Sequence, residues 1–155
     1  MLDQFSRPET NQIVAFLEKI GLSVRAADIT ERAFLPGIQI AGGVLLIDDA
    51  RLEWPGDLLH EAAHLALTPA DQRASIEYNV GQDGGEEIGA LAWSWAALCH
   101  LQLAPDIVFH AGGYRRESKS LIENFSAGRY IGLPFLRWLG LAGDDFPHMI
   151  KWLRD

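Results

Sequence analysis

His60-Glu61-Ala62-Ala63-His64 sets two imidazoles four residues apart, with a carboxylate beside the first. On a helix, residues i and i+4 lie one turn apart on one face, so both rings can reach a single metal ion. Imidazole nitrogen suits Zn²⁺, and two histidines with one carboxylate and an open fourth position form a catalytic zinc pattern. Glu61 then stands where a carboxylate can take a proton from water.

The residues around the motif sharpen this reading. Asp57, His60, Glu61 and His64 form one polar stripe, while every other position from Leu58 to Leu67 is Leu or Ala. No Lys or Arg occurs between Arg51 and Arg73. A surface helix carries charged side chains over a broad face. This pattern instead predicts a buried helix with a narrow polar edge, and buried His and Glu need partners.

A third ligand must come from outside the motif. An extended motif with Gly at 67 and His at 70 is excluded, because Leu67 and Ala70 stand there. The downstream candidates are Asp71, Glu77, Glu86, Glu87, His100 and His110. Glu87 shares a helix face with Ala90, Leu91, Ser94, Leu98 and Leu101, an apolar stripe. Glu86 shares one with Gly89, Trp93, Ala97 and His100. Helix-face geometry favours Glu87 and leaves Glu86 as its alternative. The other carboxylate then serves as an acidic residue at a helix N-terminus.

His60-Glu61-Ala62-Ala63-His64, followed by Glu87-Ile88-Gly89-Ala90-Leu91-Ala92-Trp93 and later Pro105, resembles the ImmA/IrrE group of zinc peptidases. Their second motif has the form Glu-x-x-Ala-x-x-aromatic. The resemblance runs from about Val44 to Pro105. It implies a minimal zincin of the gluzincin type, with a short sheet above the motif helix and Glu87 as the third zinc ligand. Ala63 stands where the family often has Gly, and the segment from His110 onwards matches nothing in that pattern.

The elements that must position these groups are legible in outline. Asn11–Ile20 has helical apolar spacing ended by Gly21, and Ser23–Asp28 fits a short strand. Gly37–Ile40 and Val44–Ile47 read as strands joined around Gly42-Gly43, a hairpin signal. Trp54-Pro55-Gly56 breaks the chain, Asp57 fits an N-cap, and Leu58–Thr68 reads as a helix closed by Pro69. Asn79–Gly85 reads as a loop. Helices are expected over Glu86–Leu103, Glu117–Ala127, Pro134–Leu139 and Pro147–Arg154. Trp93, Trp95, Trp138 and Trp152 fall at helical spacing and are expected in the core. The expected fold is one α+β domain, residues 1–155, with a small antiparallel sheet packed on the motif helix.

His110-Ala111-Gly112-Gly113-Tyr114 is a further loop carrying two hydrogen-bond donors, of which His110 is expected to face the reacting water and support a developing oxyanion. Tyr78 is the next candidate.

Composition bounds the function. The 155 residues carry a net charge of −8, which disfavours nucleic acid and anionic membrane surfaces as partners. Cys99 is the single cysteine, so neither an internal disulfide nor a cysteine metal cage can form. Met1–Thr10 has no apolar leader, and Ile88–Leu101 is too short to span a bilayer. The expectation is a cytoplasmic zinc hydrolase acting on a peptide or protein substrate, with Glu61 as general base. A zinc hydrolase of small amides or esters, and an inactive metal-binding interaction module, are the competing readings.

Overall fold

The computed structural model describes residues 4–30, 35–77 and 84–155. Helix α1 (Pro8–Ile20) opens the described chain and buries Ile13, Phe16 and Leu17. It stops because Gly21 adopts φ 110°, a left-handed conformation that places the Gly21 and Leu22 N–H groups on the carbonyls of Glu18 and Leu17.

Strands β1 (Val24–Ala26), β2 (Ile38–Ala41) and β3 (Val44–Ile47) form one sheet in the order β1-β3-β2. β2 and β3 are the expected hairpin, turned by Gly42 and Gly43 at φ 58° and 76°, with Ala41 opposite Val44. The sheet is mixed, however, because β1 pairs with β3 in parallel, Val24 opposite Leu45. The expected all-antiparallel sheet is corrected on this point. Alternation of apolar side chains reports which face of a strand is buried and carries no information on its neighbour's direction. The apolar Val-Leu-Leu-Ile strand β3 takes the central place, with Leu45 and Ile47 fully buried.

Helix α2 (Asp57–Leu67) carries the two histidines and packs against α3 (Gly84–Leu101). Ala62, Ala63 and Ala66 on α2, and Ala90 and Ala97 on α3, are all completely buried, and these small side chains permit close helix approach. The start of α2 is equally tight. A Cβ added at Gly56 would lie 2.0 Å from the Ile107 carbonyl oxygen, so no other residue fits between α2 and the short helix α4 (Pro105–Val108). The expected loop from Asn79 lies outside the described residues as far as Asp83, as does Tyr78, and α3 begins at Gly84, two residues ahead of its expected start.

Two further expectations change. Asp57 is the first residue of α2, preceded by Gly56, and its side chain caps nothing. Pro147–Arg154 is not helical. Its backbone groups find tertiary partners: Ile150 N–H donates to the Leu141 carbonyl, Arg154 N–H to Ala66, and the Trp152 carbonyl accepts from the Trp93 indole at 2.9 Å. This segment finishes the C-terminal end of α2. Arg73 donates to the carbonyls of Leu65, Thr68 and Arg154, and Arg154 donates to Leu67, so carbonyls left over at the helix end are satisfied. Helices α5 (Ser118–Ser126) and α6 (Leu133–Trp138) complete the fold, with α6 packed on α3. Trp93 and Trp95 are buried as expected, whereas Trp138 is 76% exposed, facing outwards from a one-and-a-half-turn helix. Among the described residues, no helix is long and apolar enough to cross a membrane.

Candidate metal centre

The one-turn spacing on α2 and the packing of α2 on α3 bring three donors together. His60, His64 and Glu87 each offer a ligand atom, all within 4.8 Å of one another. His60 Nε2 lies 3.0 Å from Glu87 Oε1, and His64 Nε2 lies 3.2 Å from Glu87 Oε2. Donors held tetrahedrally by zinc at about 2.0–2.2 Å are themselves about 3.4 Å apart, so the two His–Glu87 separations are compatible with a shared metal ion. His64 is almost fully buried, while Glu87 keeps nearly half of its side-chain surface exposed. A fixed interior wall with one open side is what a site that admits a ligand requires.

Glu86 stands on the other side of His64, its Oε1 3.4 Å from Nδ1. The adjacent carboxylates of α3 therefore serve different nitrogens: Glu87 meets both Nε2 atoms, and Glu86 meets the rear nitrogen of His64. An acceptor on Nδ1 fixes the tautomer that leaves Nε2 free to bind a metal. Glu86→Gln is expected to weaken zinc affinity by about 10- to 100-fold with an unchanged ligand set, as measured by competition with a chromogenic chelator.

The electrostatics follow from burial and pairing. Burial pushes the Glu61 carboxyl above its usual range, and His60 and His64 pull it partly back. That direction suits a group that must accept and then release a proton. Hydrogen bonds with His60 and His64 hold Glu87 well below the ordinary carboxylate range. For His64, burial disfavours the charged ring, but Glu86 and Glu87 together outweigh it and hold the imidazole up to about 9.

This pairing gives the metal-free protein a defined pH response. His64 is raised from 6.5, so its contribution to stability is complete below about pH 6.5 and is lost as pH rises through about 9. Glu87 is depressed from 4.5, so its contribution is present above about pH 4.5 and is lost below it. Chelator-treated protein should show this stabilisation at its fullest between about pH 4.5 and 6.5, with Tm falling towards pH 9. His64→Ala should flatten the alkaline side of that profile. Zinc must displace the His64 proton, so its affinity should rise with pH across the same alkaline range.

The loop after α4 also reaches the centre. His110 is buried, but it does not present a free donor. Its Nε2 lies 2.7 Å from Asp57 Oδ1, and its Nδ1 accepts from the Gly112 N–H at 3.2 Å. The proton is thereby placed on Nε2, facing Asp57. Trp54 stacks flat on the ring, centroids 4.1 Å apart and planes within 3°. The expectation that His110 faces the reacting water meets no free ring nitrogen: Nε2 is committed to Asp57 and Nδ1 to the Gly112 N–H. Burial raises the Asp57 carboxyl, and the His110 hydrogen bond offsets part of that rise. Asp57 gives up the capping position expected of it because His110 reaches it from 53 residues away, a partner that local spacing cannot reveal.

Tyr114, by contrast, lies against His60, one of the three candidate ligands. Its ring meets His60 edge-on at 5.7 Å. Compared with protein-family models, curated proteins and solved structures, the chain matches none, so the reading of the site rests on its geometry and its motif.

Proposed function

We propose that the protein is a zinc-dependent hydrolase, and specifically a peptidase. The observation that carries this is the convergence of His60 Nε2, His64 Nε2 and the Glu87 carboxylate, with the partly buried Glu61 beside them. The donor set fits zinc rather than magnesium or calcium, which favour oxygen ligands. Bound there, zinc supplies a Lewis acid that lowers the pKa of water towards about 7 and polarises a carbonyl.

The chain's own residues do the remainder. Glu87 and the two imidazoles hold the ion, and Glu86 keeps His64 in the tautomer that can bind it. Glu61 takes a proton from water at its carboxylate as the carbonyl carbon is attacked. It then hands that proton to the departing amine nitrogen. Burial raises its pKa, a direction that suits a group accepting and then releasing a proton. The half-exposed Glu87 leaves one side of the centre open to an extended chain, and the net charge of −8 argues against a nucleic-acid substrate.

The test is exposure of zinc-loaded protein to a mixture of unfolded proteins, with new termini read by mass spectrometry. Cleavage that a chelator abolishes and zinc restores is the expected result. Zinc-dependent turnover of small amides or esters without any new peptide termini would overturn the peptidase assignment and leave a hydrolase of small molecules.

A further inference from the structure

Tyr114 combines three features that packing alone does not explain. Its hydroxyl oxygen is buried and has no hydrogen-bond partner. Buried polar groups are nearly always paired, and an orphan asks for a ligand or a function. Its backbone sits at φ 59°, in the left-handed region that bulky side chains avoid. Strain of this kind persists where the surroundings enforce it, and it gathers at ligand sites. Its ring is also wedged between three others: His60 at 5.7 Å, His110 at 5.9 Å and Phe109 at 5.2 Å.

The Asp57–His110 pair supplies the enforcement. With both His110 nitrogens occupied and Trp54 stacked on its outer face, the ring forms a fixed wall. Gly113 follows that wall so closely that a Cβ there would stand 3.1 Å from His110 Cε1. The chain therefore delivers Tyr114 edge-on to a metal ligand with its hydroxyl unspent. The groups whose charge acts on that hydroxyl are Asp57, Glu87 and Glu61, which all belong to the centre or its wall.

We infer that the Tyr114 hydroxyl is the hydrogen-bond donor to an anionic oxygen of whatever ligand occupies the centre, and that the Asp57–His110 pair is the device that positions it. This rests on the zinc reading above and deepens it: the ligands recognised are those that present an oxyanion beside the metal, such as hydroxamates or the tetrahedral species of amide hydrolysis. Because the phenol is held by its surroundings and has no internal partner, its hydrogen bond is made only when a ligand supplies the acceptor.

The experiment compares wild type with Tyr114→Phe, both zinc-loaded, using acetohydroxamate as the probe in isothermal titration calorimetry. Zinc content and Tm are measured first. The variant should hold one zinc and melt at the same temperature or higher, since it loses only an unpaired buried hydroxyl. It should bind acetohydroxamate about 10- to 100-fold more weakly, the range for a hydrogen bond to a charged group. Its kcat should fall by about 10²–10³. A structural role predicts the opposite pattern, a lower Tm with unchanged probe affinity, and that result would overturn the assignment. Equal affinity at equal Tm would overturn it as well, while leaving the metal centre intact. A wild type that takes up no zinc would instead overturn the metal reading, and this inference with it.

Discussion

His64→Ala will abolish stoichiometric zinc binding. The imidazole is one of three donors, and it is the buried one, with Glu86 and Glu87 arranged around its two nitrogens. Losing a supporting group beyond the ligands costs about 10- to 100-fold in affinity, and losing a ligand costs more. The loss will be visible in stability too. Free zinc at about 1,000 times its dissociation constant stabilises the folded state by about 4 kcal/mol. For a chain of this size that is about 8–16 °C in Tm, at about 2–4 °C per kcal/mol. Wild type should show this rise on zinc addition and His64→Ala should not. His60→Ala and Glu87→Ala should behave likewise, because each contributes one corner of the same triangle. A thermal scan with and without zinc, paired with elemental analysis, reads all three. Retention of zinc by Glu87→Ala together with its loss from Glu86→Ala would transfer the ligand role to the neighbouring carboxylate.

Glu61→Gln should separate metal binding from chemistry. Glu61 touches the same stripe of α2 but is not one of the three converging donors. The amide is nearly isosteric and cannot accept a proton. Removal of a general base lowers turnover by about 10²–10⁴. Zinc content and Tm should remain those of wild type. The expected signature is therefore a fall in kcat at constant zinc occupancy, measured on any peptide that the wild type cleaves. Loss of zinc in Glu61→Gln would show Glu61 to be a ligand and would leave the site without a base.

What the sequence discloses divides along the range of the interactions. The pairing of His60 with His64 is a matter of one helical turn, and the apolar stripe around them marks a buried helix, so the centre of the site is legible from spacing. The third donor is legible only as a choice. Helix faces favour Glu87 over Glu86, but both carboxylates turn out to engage the histidines, because consecutive residues on α3 flank His64 on opposite sides. The hairpin is legible because Gly42-Gly43 permits the turn. The parallel partner of β3 is not, because β1 and β3 meet across the chain that separates them.

The longest-range contacts are the least legible. Asp57 has the type and position of a helix cap, and His110 has those of a loop donor. Each local reading is displaced by a buried hydrogen bond between them. With His110 engaged by Asp57, Tyr114 is the residue of that loop whose ring meets His60 and whose buried hydroxyl has no hydrogen-bond partner. The C-terminal segment has helical spacing and forms no helix, because its backbone groups serve Ala66, Leu141 and Trp93 instead. Tertiary partners override local propensity there, and the segment becomes part of the support for α2.

His60, His64 and Glu87 are proposed to hold one zinc ion in a single open centre. Anomalous diffraction at the zinc edge, from crystals of zinc-loaded protein, tests it most directly. One strong peak per chain is expected, within about 2.2 Å of His60 Nε2, His64 Nε2 and a Glu87 carboxylate oxygen. No peak between these residues, or a zinc ion held there by a different set of side chains, would contradict it.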